Sequence, residues 1–410
     1  MRRSLIALIV SLAILLPVSL SRASEGTGDT TQAAARARPD PYVVAAGDIA
    51  CGNPALDYGE DHDPFVRTPT LCHEDVTAAM FAPGGRLAGP GLQAVLPLGD
   101  LQYEYGGWLD GFESEFTYEN PDCSIVPGFE AGPCSFDESW AKAAAIWTEY
   151  GLRSPPIRPT PGNHEYQEIE GDCRLSGVER DGDPFSACGY NDYFGNRVAA
   201  PSQAIGGDGR GSYTFRYNEN SAHPMLFVSL NTGQCDKGTG ACEGHSRVIR
   251  YLQRVLSSPE LNPPEGCAVV YYHHPAWDRF LHGNLDFILP VWQAMLDPDL
   301  KASQRPDLVL NGHNHLYTRY EPLDARGRVG SGLPAIPQIT VGTGGKNAGE
   351  QPGELPDDHA GRPAAKDLDS FGLEKVSWSP ETGRIDAAFY REGDPEPFDP
   401  VTYRCHGASL

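Results

Sequence analysis

Apolar residues along the chain gather into short runs rich in β-branched side chains, interrupted by a polar residue only at Ser229 and Thr340: Tyr42 to Ala46, Ala94 to Leu98, Met225 to Leu230, Ala268 to Tyr272, Leu308 to Leu310 and Ile339 to Val341. Near-continuous runs of this length, rather than alternation, predict strands covered on both faces. Between them lie helical periodicities over Glu74 to Phe81, Glu138 to Tyr150, Ser246 to Leu256 and Leu285 to Leu296. Strands alternating with helices predict βαβ crossovers and a largely parallel sheet, whose ligands sit beyond the carboxyl ends of the strands. Two stretches read differently. Tyr213 to Leu230, and Glu374 to Tyr390 around Pro380-Glu381-Thr382-Gly383, predict antiparallel pairing and hence a second sheet. The expected class is α/β, a two-sheet sandwich flanked by helices.

The termini and the long connections complete this outline. Met1-Arg2-Arg3-Ser4 precedes an apolar run from Leu5 to Leu20, and Ser21-Arg22-Ala23 supplies small residues for cleavage, so residues 1–23 read as a signal peptide. The run holds 16 residues and contains Pro17, whereas a spanning helix needs roughly 20, so no stable membrane anchor is expected. The paired arginines fit either general export or the export of a folded protein. Residues 24–40 lack periodicity and read as a flexible leader, leaving 41–410 as a single domain. Residues 104–137 and 166–212 are rich in Gly, Pro, Asp and Cys, and long connections of this kind are expected to wall a substrate cleft.

Cysteine usage and charge narrow the function classes. Ten cysteines in an exported chain, with no Cys-x-x-Cys, indicate disulfides rather than thiolate metal sites. Spacing alone pairs Cys51 with Cys72, Cys123 with Cys134, Cys173 with Cys188, Cys235 with Cys242, and Cys267 with Cys405. With Arg2, Arg3 and Arg22 removed, 29 of the 32 basic residues remain against 55 acidic ones, a net charge of −26. Such a surface repels polymeric phosphates and carries no basic patch, so a nucleic-acid partner is excluded. A small phosphate ester stays compatible, because bound cations dominate the field within a site. No protein partner is evident.

Five motifs place donors just after apolar runs: Gly47-Asp48, Gly99-Asp100 with Tyr103, Gly162-Asn163-His164-Glu165, His273-His274-Pro275, and Gly312-His313-Asn314-His315. Carboxylates, imidazoles, an amide and a phenol form a donor set for di- and trivalent cations that bind oxyanions. Asn163 offers a neutral ligand that leaves cation charge unquenched, with His164 free to address a substrate. The imidazoles of His313 and His315 can reach two neighbouring ions if the backbone bends between them. Gly342-Thr343-Gly344-Gly345-Lys346 is no phosphate-cradling P-loop, because Asn347 stands where Ser or Thr is required and Thr340 where the first Gly is required. His62, His73, His223, His245, His359 and His406 match no motif.

The ordered set resembles the calcineurin-like metallophosphoesterase superfamily, specifically its purple acid phosphatase branch, with the motif order GDx, GDxxY, GNH(E), a His before x-Pro, and GHxH. Tyr193-Phe194-Gly195 and Val341-Gly342-Thr343-Gly344-Gly345 also resemble bacterial exported members. Ala50 stands where most relatives carry His, which agrees with the branch in which a tyrosine takes over that ligand. The resemblance implies a four-layer α/β/β/α sandwich and two metal ions. Asp48, Tyr103 and His315 would hold Fe(III); Asn163, His273 and His313 would hold Fe(II), Zn or Mn; Asp100 would bridge. His164 would donate a proton or orient the phosphoryl group, and His282, nine residues after His273, would be a second active-site histidine. With only 18 residues between Ser24 and Pro41, an additional N-terminal β-sandwich is not expected. The implied activity is hydrolysis of phosphate monoesters by a secreted, extracellular or periplasmic enzyme. A phosphodiesterase on the same centre and a non-catalytic secreted binding protein are the alternatives.

Overall fold

The computed structural model describes residues 39–50, 73–101, 103, 140, 143–144, 156–166, 187, 190, 194, 211–235, 240, 242–280, 283–346 and 361–405. The expected signal peptide, leader, long loops, His282, and Cys51, Cys72, Cys123, Cys134, Cys173 and Cys188 lie wholly or almost wholly outside them, as does most of the expected helix at 138–150. The described strands are β1 (Tyr42–Ala46), β2 (Leu92–Pro97), β3 (Tyr213–Tyr217), β4 (Met225–Ser229), β5 (Cys267–Tyr271), β6 (Leu308–Asn311), β7 (Tyr317–Leu323), β8 (Ile336–Val341), β9 (Ala365–Asp367), β10 (Gly372–Ser379), β11 (Arg384–Arg391) and β12 (Phe398–Arg404). Among the described residues they are accompanied by the helices α1 (Glu74–Phe81), α2 (Arg247–Ser257) and α3 (Leu289–Met295).

The strands form two mixed sheets, one of five in the order β12-β11-β10-β1-β2 and one of seven in the order β3-β4-β5-β6-β8-β7-β9. β1 pairs in parallel with β2, and β4, β5, β6 and β8 run parallel in succession, while the hairpins β3–β4 and β10–β11 are antiparallel. The near-continuous apolar runs are explained by burial on both faces. In β4, Met225 and Phe227 enter the core between the sheets, whereas Leu226 and Val228 enter a second core under the helices. β5 divides in the same way, with Val269 and Tyr271 on one side and Ala268 and Val270 on the other. The result is an α/β sandwich of two mixed sheets.

Aromatic side chains close the space between sheets. Trp378 of β10 packs edge-on against Phe227 of β4, with centroids 5.6 Å apart, and Tyr317 of β7 stacks on Phe389 of β11 at 4.5 Å. A polar tie runs alongside, where Arg319 of β7 grips Asp399 of β12 with Nε to Oδ2 at 2.6 Å and Nη2 to Oδ1 at 2.9 Å. On the outer face, α2 buries Val248, Ile249, Leu252, Val255 and Leu256, and Ser246 caps its first turn by accepting from the Ile249 N–H. The stretch expected as one helix from Leu285 to Leu296 divides into a 3₁₀ turn at Asp286–Ile288 followed by α3. Pro290 stands at the start of α3, where its missing N–H belongs at a helix N-terminus rather than inside a longer helix. Two expected disulfides lie within the described residues, Cys235–Cys242 and Cys267–Cys405.

Candidate metal centre

Each candidate donor follows the carboxyl end of a strand or of a strand-like segment. Asp48 follows β1, Asp100 and Tyr103 follow β2, His273 follows β5, and His313 and His315 follow β6. Asn163 follows a segment that bridges in parallel to β2 and its end, Ile157 to Val95 and Thr160 to Leu98. Thus Asp48, Asp100, Tyr103 and Asn163 come from the first sheet and the three histidines from the second. The turns that aim them are sharply bent: Asp48, Asp100 and His313 have φ of 59°, 48° and 74°, half of the six non-glycine residues with positive φ among those described. Backbone held in this sparsely populated region concentrates at functional sites, where surrounding contacts enforce it. The bend at His313 lets two histidines only two residues apart face different neighbours.

The donor atoms converge in two groups. The Tyr103 hydroxyl lies 2.6 Å from Asp48 Oδ1, 3.0 Å from Asp100 Oδ2 and 3.1 Å from His315 Nε2. His273 Nε2 lies 3.0 Å from Asp100 Oδ2, 3.1 Å from Asn163 Oδ1 and 3.2 Å from His313 Nδ1, and that His313 atom is itself 3.1 Å from Asn163 Oδ1. Asp100 Oδ2 belongs to both groups. Neighbouring donors around an octahedral ion with bonds of ~2.1 Å stand about 3 Å apart, and that is the spacing found within each group. The chemistry of the donor set therefore fits a pair of cations. His274 stands beside the second group: its ring packs against His313 and Phe287, its Nδ1 is 3.3 Å from Thr232 Oγ1, and it offers a ring nitrogen within 4.8 Å of ring nitrogens of His273 and His313.

Burial sets the electrostatics. Asp48 and Asp100 are at most 1% exposed. Burial alone would raise the Asp100 carboxyl, but the charges of His273, His164 and His313 outweigh it and hold it well below the usual carboxylate range. His273 shows the reverse balance: burial opposes its protonation, while the charge and hydrogen bond of Asp100 lift it to about 9. Burial, Asp100 and Asp48 together push the Tyr103 phenol well above its ordinary value. Two buried carboxylates and a phenol facing one another call for compensating positive charge at this point.

His164 stands at the edge of the groups. Its ring packs on Tyr103 with centroids 4.2 Å apart, its Nε2 is 3.9 Å from Asp100 Oδ2, and its backbone N–H donates to Asp100 Oδ1 at 2.8 Å. The Lys346 ammonium lies 4.9 Å from the centroid of the Tyr103 ring, and its backbone N–H donates to the Asp48 carbonyl. The glycines before Lys346 serve close approach: a Cβ on Gly342 would lie 2.6 Å from Asp48 Oδ2.

One residue of the motif set went without a role in the sequence. Glu165 is fully buried and accepts from the backbone N–H groups of Gly162 at 2.6 Å, Asp100 at 3.0 Å and Leu101 at 2.7 Å. Burial and the Asp100 charge raise its carboxyl to about 7 against the pull of those N–H groups. The signal available in the sequence was its position directly after Gly162-Asn163-His164. Beside it, a Cβ on Gly162 would sit 2.1 Å from Asp100 Oδ1, so only glycine fits.

Among solved structures the chain is similar to GAP50, the anchor in the inner membrane complex of Plasmodium, with a TM-score of 0.51 at 11% identity over 89% of each chain. It also aligns with a protein described as a candidate 5′-nucleotidase from Staphylococcus aureus, in complex with alpha-ketoglutarate, at 12% identity over 89% of this chain and 54% of that one. The TM-score of that second superposition is 0.36, and nothing is drawn from it. At 11% identity the likeness to GAP50 concerns the fold. No protein-family model and no curated protein matches the chain.

Proposed function

We propose that the chain is an exported binuclear metal phosphoesterase that hydrolyses small phosphate monoesters. The observation that carries this reading is the sharing of Asp100 Oδ2 between two groups of donors, each with spacings near 3 Å. In this reading Asp48, Tyr103 and His315 hold Fe(III), Asn163, His273 and His313 hold Fe(II), Zn or Mn, and Asp100 serves both. Bound there, the cations would supply Lewis acidity, drawing charge from phosphoryl oxygens and lowering the pKa of a water so that it loses a proton to solvent and is available as hydroxide. The chain's own residues do the rest. Asp48 and Asp100, stripped of solvent, fix the charge of the site, and neutral Asn163 leaves the second cation group more electropositive than a carboxylate would. His164, more exposed than the buried donors, is poised at the edge to give a proton to the leaving oxygen. His282 is proposed as a second histidine acting on the same ester.

The phenol supports trivalent iron. A group pushed so far above its ordinary pKa ionises only beside a strong Lewis acid, and an iron phenolate absorbs visible light. Purified protein expressed with iron and zinc is expected to carry two ions per chain, to be coloured, and to turn over nitrophenyl phosphate faster than bis-nitrophenyl phosphate. Preference for the diester replaces monoesterase by phosphodiesterase. A second reading draws on the neighbour described as an anchor, since one fold serves binding proteins as well as enzymes. Fewer than one ion per chain and no turnover of either ester would favour that secreted binding protein.

A further inference from the structure

We infer that Glu165 is a positioning residue that sets both donor groups at once by locking the Asp100 turn to the Asn163 turn; the inference rests on the binuclear reading above. At Asp100 the backbone turns through φ of 48°. A left-handed residue of this kind makes consecutive N–H groups converge into a concavity that attracts an anion. Here the Asp100 and Leu101 N–H groups converge on the two oxygens of the Glu165 carboxylate. Oε2 accepts in addition from Gly162, so a single carboxylate joins the end of β2 to the turn that carries Asn163. The connection is returned from the other side, where the His164 N–H donates to Asp100 Oδ1. Asp100 is therefore held through both its backbone and its side chain by residues 162–165.

The consequence follows from the shared atom. Asp100 Oδ2 is the point common to the Tyr103 group and the His273 group. A displaced Asp100 turn alters both groups together, whereas losing a donor such as Tyr103 alters one. The carboxylate chemistry is specific: three donors need an acceptor on both oxygens, and the amide of glutamine would set an N–H₂ against a backbone N–H. Glutamine keeps size and position while losing this match.

The test uses the full exported chain, freed of metal and then titrated with Zn(II) alone by equilibrium dialysis and elemental analysis. Wild type, Glu165→Gln and Tyr103→Phe are compared, with near-UV circular dichroism and melting of the metal-free proteins as a check of fold. Glu165→Gln is expected to weaken uptake of both ions in parallel, by about 10–100-fold, while Tyr103→Phe weakens only one. Glu165→Asp, one methylene shorter, is expected to fall between wild type and Gln, and the same criterion applies to it should Gln fail to fold. Two ions bound by wild type, with the loss in Glu165→Gln confined to one ion or both affinities within about twofold of wild type while only the melting temperature falls, would overturn this inference alone. Wild type that takes up fewer than two ions overturns the binuclear reading and this inference with it.

Discussion

Tyr103 carries the sharpest chemistry of any single side chain here. Its hydroxyl is pressed between two buried carboxylates and an imidazole, and burial with the charge of Asp100 and Asp48 pushes its phenol well above the ordinary value. Replacing it by phenylalanine removes the oxygen and leaves the ring's packing on His164. Tyr103→Phe is expected to abolish the visible absorption of iron-loaded protein while leaving one ion bound, as read by spectrum and elemental analysis together. The proposed role of His164 as proton donor makes a different prediction, because it would depend on the leaving group. His164→Ala should slow hydrolysis of an alkyl phosphate by roughly 10²–10⁴-fold, and of nitrophenyl phosphate far less, since nitrophenolate departs without a proton. Equal losses on both esters, measured as kcat, would assign His164 to binding instead.

At the level of elements, the strands that carry the site were the most legible part of the sequence, and the reason is physical. β1, β4, β5 and β6 are buried on both faces, so their apolar runs are nearly unbroken and their expected bounds fall within two residues of those observed. β7, β9 and β12 were not foreseen. β12 is an edge strand of polar and half-exposed residues with Pro400 inside it, β9 has three residues, and β7 interrupts its apolar positions with Arg319 and Glu321. Their pairing is decided by partners distant in the chain, which no local pattern records. The site was legible because its donors follow the readable strands. Glu165 was not, because its partners are backbone N–H groups that leave no trace in residue identity. Among the helices, α2 rests on the second core through Leu252, which is fully buried. Leu252→Ala should cost about 2–5 kcal/mol in urea unfolding, with metal content unchanged because α2 supplies no donor.

Across the whole molecule, one carboxylate makes stability depend on pH away from the site. Glu374 of β10 is fully buried, and burial together with Asp399 raises its carboxyl well above the ordinary value, against the pull of Arg319. Its folded pKa exceeds its unfolded one, so its contribution is fully present below about pH 4.3, the unfolded value, and is lost as pH rises toward and through the folded value. Glu374→Gln should therefore gain stability relative to wild type as pH rises, and the gain should vanish below that value, as measured by denaturant unfolding across pH. The site itself acts on the same scale. No helix among the described residues is long and apolar enough to cross a membrane. Each donor group takes members from both sheets, so an ion seated in either one rivets the two halves of the sandwich together. Stability then becomes a gauge of free metal: binding adds about 2.7 kcal/mol at a hundred times Kd and about 4.1 at a thousand. Chelation should lower the melting temperature of the entire fold in a single cooperative step, so a chain reaching a metal-poor compartment would lose both sheets together rather than one before the other.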